Sequence, residues 1–183
     1  MNDGYGSEPI MHWTASTGWG SVRLMAAINL NHVSVCTKDM NESIRFYRDV
    51  FGLEVVPTPN FGFPVQWMRV GNLQVHLFER PEDAPTYAHF GLTVDDFEGV
   101  YARARELDIF DKKTFGHHVY ELPGGCAQMY IRDPSGNCIE VDYPDASSID
   151  WTVVTDMKPL SAPQSDENRR STLFLERKEA RRV

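Results

Sequence analysis

The sequence predicts an α+β fold in which two βαβββ modules form a curved, mostly antiparallel half-barrel sheet with helices on the outer face. Two strand-like runs, each opened by a histidine, lie around His32 and His89. An amphipathic helical segment follows each run, and three further strand-like segments follow each helix. Since the same order of elements occurs twice, we expect two similar modules side by side.

Composition supports a compact globular chain. The 183 residues are 42% hydrophobic and 11% aromatic, which is enough apolar surface for a core. Glycine and proline occur 13 and 11 times, which excludes a collagen-like or low-complexity protein. No apolar run approaches the roughly 20 residues that a membrane-spanning helix needs, so the sequence predicts a soluble protein without a membrane partner.

The chain divides into three regions by pattern. We predict a flexible leader at residues 1–26, a paired βαβββ domain at 27–145, and a polar, basic-ended tail at 146–183. Within the domain, the modules are expected at about 28–80 and 87–143. The leader lacks the basic and apolar regions of a secretory signal.

Charge and cysteine content limit the partners and the compartment. The net charge is −8, although residues 169–183 carry six basic and two acidic side chains. The acidic body should repel nucleic acid, and we interpret the basic end as a solvated, partly helical terminus. Cys36, Cys126 and Cys138 lack metal-binding or disulfide-like spacing, so we expect a cytoplasmic protein.

Each predicted helix has one apolar stripe that belongs to the core. The first helix is expected at about 41–51, with Asp39 or Asn41 as its cap and Gly52 at its end. The second is expected at about 96–107, with its apolar residues at helical spacing. These stripes are typical of core packing.

The remaining elements are short strands joined by recognisable turns. Gly71-Asn72 and the turn at 133–136 have the residues that tight turns prefer. We predict the strands of the first module at 54–56, 65–70 and 73–78, and those of the second at 119–122, 127–132 and 138–143.

Strand alternation supplies the main functional clue. In the strand that starts at His89, Phe90, Leu92 and Val94 share the apolar face, so His89 points the opposite way. The same alternation places four more polar side chains opposite the apolar face: His32, His76, Tyr130 and Glu140. If the sheets curve together, all five side chains converge.

Two imidazoles and one carboxylate on a rigid sheet form a facial triad for a divalent metal. We predict His32, His89 and Glu140 as the ligands. Iron(II) suits this set best, with manganese, zinc or nickel as alternatives. His76 is either a fourth ligand or an acid/base beside the metal.

Four motifs carry a resemblance to a known family over about residues 28–143. They are Leu30-Asn-His-Val-Ser-Val, Ser43-Ile-Arg-Phe-Tyr-Arg-Asp-Val-Phe-Gly-Leu, Tyr87-Ala-His-Phe-Gly-Leu-Thr-Val and Tyr130-Ile-Arg-Asp-Pro-Ser-Gly-Asn-Cys-Ile-Glu. The chain resembles the vicinal oxygen chelate superfamily, which includes glyoxalase I, fosfomycin resistance proteins, bleomycin-binding proteins and type I extradiol dioxygenases. The resemblance implies paired βαβββ modules around a metal that the substrate chelates through neighbouring oxygens.

In motif, the chain is most similar to single-module extradiol dioxygenases. Tyr130 precedes the carboxylate ligand by ten residues, and His76 lies one strand before the ligand His89, as in those enzymes. The resemblance implies Fe(II)-dependent ring cleavage of a small aromatic diol by O2, with His76, His118 and Tyr130 as catalytic residues. The choice between His117 and His118 stays open.

Two other functions fit the same family. One is a glyoxalase I-like lyase or isomerase, or a fosfomycin-resistance-like thiol transferase, although glyoxalase I has a glutamate where this chain has His76. The other is a non-catalytic, bleomycin-type drug-binding protein. Phe61, Trp67 and Phe78 are either the walls of a slot for a flat ring or ordinary packing. Paired half-barrels commonly expose an apolar edge, so we expect a homodimer.

Overall fold

The computed structural model describes residues 29–174, so the predicted leader and the end of the tail lie outside the described residues. Two βαβββ modules follow one another, and the α+β prediction is confirmed. The first module consists of β1 (His32–Thr37), α1 (Met40–Phe51), β2 (Glu54–Val56), β3 (Val65–Val70) and β4 (Leu73–Glu79). The second consists of β5 (His89–Thr93), α2 (Phe97–Glu106), β6 (Val119–Glu121), β7 (Ala127–Arg132) and β8 (Cys138–Tyr143).

Each module has its own mixed sheet. The strand order is β1-β4-β3-β2 in the first sheet, and β5-β8-β7-β6-β9 in the second, where β9 is Lys158–Pro159. In both modules the first strand runs parallel to the last, and the strands between them pair antiparallel. β9, which no sequence pattern predicts, extends the second sheet by pairing parallel with β6.

The helices start and stop where side-chain chemistry dictates. Asp39 caps α1, because its carboxylate accepts a hydrogen bond from Glu42 N at 2.9 Å. Gly52 ends this helix in the left-handed conformation at φ 67°, which a glycine adopts without strain. Asp96 caps α2 in the same way by accepting from Gly99 N at 2.8 Å.

Alternate strand residues separate the two faces of each sheet. Met68, Val75 and Leu77 are buried under α1, and the equivalent second-module positions are buried under α2. We call the opposite side, which carries the side chains of His76 and Glu140 among others, the helix-free face. The strand register matches the alternation that the sequence predicts.

Buried polar side chains join the two modules. Asp133, in the β7–β8 turn, accepts hydrogen bonds from the Tyr47 hydroxyl of α1 at 2.9 Å and from Asn137 Nδ2 at 2.8 Å. Asn137 Nδ2 also donates to the Cys36 carbonyl of β1 at 2.8 Å, and Lys38 N donates to Ser135 Oγ at 2.9 Å. We call Tyr47, Asp133, Ser135 and Asn137 the intermodule clamp.

The core continues past residue 145, the expected end of the domain. Ala146, Ile149, Val154 and Met157 are buried and pack into the same apolar cluster as the strands. Within residues 29–174, no helix has the length and apolar character needed to cross a bilayer.

Tyr47→Phe tests the intermodule clamp. Removing the hydroxyl leaves the buried Asp133 carboxylate with one donor fewer, which should lower the free energy of unfolding by about 1–3 kcal/mol. Tyr87→Phe is the control, because the Tyr87 side chain is 68% exposed and should lose almost nothing. Equal urea midpoints for the two variants would contradict a stabilising role for the clamp.

Candidate metal site on the helix-free faces

The predicted ligands occupy equivalent positions in the two modules. His32 opens β1, and Ser34, two residues later, pairs with His76 on β4. His89 opens β5, and Gly91, two residues later, pairs with Glu140 on β8. His76 is therefore the first-module counterpart of Glu140, a relation that the sequence alone did not reveal.

In the first module, the His76 imidazole lies between two parallel aromatic rings. Its centroid is 4.2 Å from that of His32 and 4.5 Å from that of Trp67, with interplanar angles of 13° and 8°. The side chain is only 8% exposed. Burial, together with the nearby charge of His32, lowers the pKa of His76, which favours the neutral imidazole that binds metals.

In the second module, His89 and Glu140 lie side by side. His89 Nε2 is 3.1 Å from Glu140 Oε2, and the His89 ring meets the Tyr130 ring edge-on at 5.9 Å. Phe115, which the sequence reasoning missed, stacks on Tyr130 at 4.1 Å. Burial, with the nearby Glu140, raises the pKa of Tyr130 far above its usual value, so the phenol stays protonated.

Hydrogen bonds fix one ring nitrogen of every histidine in these pairs. His89 Nδ1 lies 2.8 Å from the Tyr87 carbonyl, which can only accept, so Nδ1 carries a proton, while Nε2 faces Glu140 Oε2. His76 Nε2 lies 2.7 Å from Gln74 Oε1, and His32 Nδ1 contacts Asn31 Oδ1. An imidazole held by an oxygen at one nitrogen and free at the other is typical of metal-binding histidines.

The structure brings the ligands together as two pairs rather than as one closed group. Within residues 29–174, the group with three donor atoms mutually within 4.8 Å is elsewhere, at His117, His118 and Asp156. A cavity of about 510 Å³ lies between β1 and β5, and its wall includes Ser34, Cys36 and His89. Of the four candidate ligands, this wall includes His89 alone.

Asp142 is a further functional candidate, to which the sequence pattern assigns no role. It follows Glu140 by two residues on β8 and lies on the same helix-free face, where a methyl group on Gly91 would come within 2.9 Å of its Oδ2. Burial, with the charge of Glu140, raises the pKa of Asp142. Strand alternation predicts that Asp142 shares a face with Glu140. Only the fold shows that the two carboxylates are buried side by side, which costs free energy.

Two buried polar atoms on these faces have no hydrogen-bond partner among the described residues. One is Trp67 Nε1, beside His76, and the other is Asp142 Oδ1, beside Glu140. Unpaired buried polar atoms are costly, and a bound substrate or ion offers partners for them. The ring centroids of Trp67 and Phe61 are 6.0 Å apart, so these rings form an aromatic surface next to the candidate ligands.

The ring of His118 does not join this group. Its backbone carbonyl accepts from Tyr130 N at 2.8 Å, but its ring packs against Phe110 at 4.3 Å and lies beside Asp156. His117 also lies by Asp156, with Nε2 2.7 Å from the backbone carbonyl. The structure therefore brings neither histidine of this pair to the side chain of Tyr130.

Asp142→Asn should change how the stability of the metal-free protein depends on pH. The pKa of Asp142 rises from 3.8 to about 7 on folding, so the folded chain holds this proton more tightly than the unfolded chain. The free energy of unfolding should therefore fall as pH rises from about 4 to 7, and the substitution should remove that slope. Thermal melts from pH 4 to 8 measure it.

Glu54→Gln, which changes an exposed carboxylate on β2, is the matched control and should keep the wild-type slope. Identical pH profiles for Asp142→Asn and the wild type would refute the burial argument.

Comparisons with known proteins identify the family to which this chain is similar. The model described as "Glyoxalase/Bleomycin resistance protein/Dioxygenase superfamily" matches residues 29–141. The uncharacterized protein YwbC of Bacillus subtilis (strain 168) is 26% identical over 125 residues, which cover 62% of this chain and 96% of that protein. Mitochondrial methylmalonyl-CoA epimerase of Mus musculus is 43% identical over 51 residues, or 26% of this chain and 29% of that protein.

A solved structure of a similar protein supports the same family. Lactoylglutathione lyase from Agrobacterium tumefaciens superposes with a TM-score of 0.50 at 25% identity, over 68% of this chain and 100% of that one. The family match spans more than half of the sequence and includes both candidate ligand pairs. The chain belongs to the glyoxalase/bleomycin resistance protein/dioxygenase superfamily.

Proposed function

We propose that the chain is a divalent-metal enzyme that holds its metal through His32, His76, His89 and Glu140. The observation that carries this proposal is the equivalence of the two modules, which puts His76 where the second module has Glu140. The oxygen contact at one ring nitrogen of each histidine supports it, and the other nitrogen of His89 lies 3.1 Å from Glu140 Oε2. The substrate is a small molecule that chelates the metal through two neighbouring oxygens.

The donor set fits a divalent transition metal. Three imidazoles and one carboxylate suit iron(II), manganese, zinc or nickel. When bound, such an ion acts as a Lewis acid that polarises the substrate oxygens and acidifies the adjacent positions. Gly91 leaves the space in which Glu140 and Asp142 lie beside each other.

The four-ligand set favours proton transfer as the reaction. Four protein ligands would hold the ion and leave it able to bind both oxygens of a chelating substrate. We assign the proton transfer to Asp142, whose unpaired Oδ1 lies on the ligand face, and we assign substrate orientation to the protonated Tyr130 and to Trp67 Nε1. A lyase and an epimerase among the similar proteins support this lyase or isomerase class.

Ring cleavage of a catechol by O2 with Fe(II) is the second candidate. The stacked faces of Trp67, His76 and His32, and of Phe115 on Tyr130, favour a flat aromatic substrate. This reaction needs His32, His89 and Glu140 as the ligands, with His76 released to act as an acid/base. The two candidates therefore differ in the role of one side chain.

We also propose a cytoplasmic homodimer. All three cysteines are free, which agrees with a reducing compartment. Leu30 and Val55 are exposed apolar side chains, and Val55 lies on β2 at the edge of the first sheet, where a second copy has access to it.

Glu140→Gln should lose most of the metal at this site, because the amide brings no charge to the ion. The metal content of protein loaded anaerobically with one equivalent of Fe(II) measures the loss. Glu54→Gln, at an exposed carboxylate on β2, should retain the metal. Equal iron contents in the two variants would remove Glu140 from the ligand set.

His76 variants separate the two reactions. If His76 is a ligand, His76→Ala should weaken metal binding at least about tenfold, and His76→Glu should restore it by supplying the donor that the second module uses. Wild-type enzyme with Fe(II) and a panel of catechols should then consume no O2. Iron retained in His76→Ala, together with O2 uptake by the wild type, would instead support ring cleavage.

A further inference from the structure

A second group of potential metal ligands lies apart from the helix-free faces. His117, His118 and Asp156 each offer one donor atom, and these atoms all lie within 4.8 Å of one another. The two histidines directly precede β6, whereas Asp156 lies in the segment that leads to β9. We call these three residues the helix-side cluster, because the His118 ring packs on Phe110, which in turn contacts Tyr101 of α2.

His118 supplies the observation that points to a ligand. It is 5% exposed, and neither of its ring nitrogens has a hydrogen-bond partner among the described residues. Nε2 lies 2.9 Å from Asp156 Oδ2, yet the two atoms are not aligned for a hydrogen bond. These two donor atoms, together with that of His117, lie close enough to contact one cation.

The surrounding contacts orient the other donors. The Tyr101 hydroxyl donates to Asp156 Oδ1 at 2.7 Å, which leaves Oδ2 for an ion. Secondary hydrogen bonds of this kind commonly hold metal-binding carboxylates in place. His117 Nε2 lies 2.7 Å from the Asp156 backbone carbonyl, and its partly buried ring packs 4.5 Å from that of His118.

The local charges permit a cation. Burial lowers the pKa of His118, although Asp156 opposes this, while His117 and Lys112 add to the lowering. The lowered pKa favours the neutral imidazole, which is the form that binds metals. Lys112 is the nearby positive charge that opposes a bound cation, but its side chain is 57% exposed and lies 3.5 Å from Asp108, so solvent and this partner screen it.

We propose that the helix-side cluster is a structural zinc site. Two imidazoles and one carboxylate are donors that Zn²⁺ accepts, with water in the fourth tetrahedral position. A zinc ion there would join the start of β6 to the segment before β9, and so fasten residues 144–157 to the second sheet. The site is independent of the proposed enzyme function, because it uses none of that site's ligands.

Zinc counting separates the two sites. Metal-free full-length protein is dialysed against buffered Zn²⁺, and the bound zinc per chain is measured for the wild type and for Asp156→Asn, His118→Asn and Glu140→Gln. We expect two ions in the wild type and one in each single variant. We also expect added zinc to raise the melting temperature of Glu140→Gln more than that of Asp156→Asn.

Tyr101→Phe is the matched control. It removes the hydrogen bond to Asp156 but no ligand, so the helix-side cluster should keep zinc with about 10- to 100-fold weaker affinity. Circular dichroism of each metal-free variant shows that it is folded before zinc is counted.

The outcomes distinguish this proposal from the proposed function. One ion in the wild type that is lost in Asp156→Asn but kept in Glu140→Gln would support the helix-side cluster alone. If Asp156→Asn and His118→Asn bind as much zinc as the wild type, with equal affinity, the proposal is overturned.

Discussion

The buried contact between the β7–β8 turn and the first module is the constraint on which the site depends. Asp133 accepts from Tyr47 of α1, and Asn137 donates to the Cys36 carbonyl of β1. Because β1 starts with His32 and β8 carries Glu140, these bonds connect the strands that carry the two candidate ligand pairs. Buried polar groups tolerate few other arrangements, since an unpaired carboxylate would be costly.

The two modules have equivalent strand arrangements, but the side chains on their helix-free faces differ. The first provides stacked rings, with His76 held between His32 and Trp67. The second provides the negative charge, with Glu140 and Asp142 buried side by side over Gly91. A cation held as we propose would therefore receive nitrogen donors from the first module and charge compensation from the second.

Most of the fold could be predicted from the sequence, because each of its signals is local. Alternation in the strands set which side chains share a face, and Asp39 and Gly52 marked the ends of α1 through capping chemistry. β9 escaped prediction, since two residues carry no detectable period and their pairing with β6 depends on the long segment between them.

The candidate site was predictable only in part. Alternation predicts that His32, His76, His89 and Glu140 lie opposite the apolar faces, but their grouping into pairs depends on pairing between strands distant in sequence. The family resemblance implied a catalytic role for His118 together with Tyr130, but the His118 ring packs against Phe110. Phe115 has no strand pattern to reveal it, since it lies in a loop.

Anomalous diffraction from crystals grown with Mn²⁺ tests the central claim most directly, since it locates the ion without depending on a substrate. The account predicts a peak on the helix-free side, within ligand distance of His32, His76, His89 and Glu140 together. A peak touching the residues of one module alone, or no peak between the modules, would contradict it.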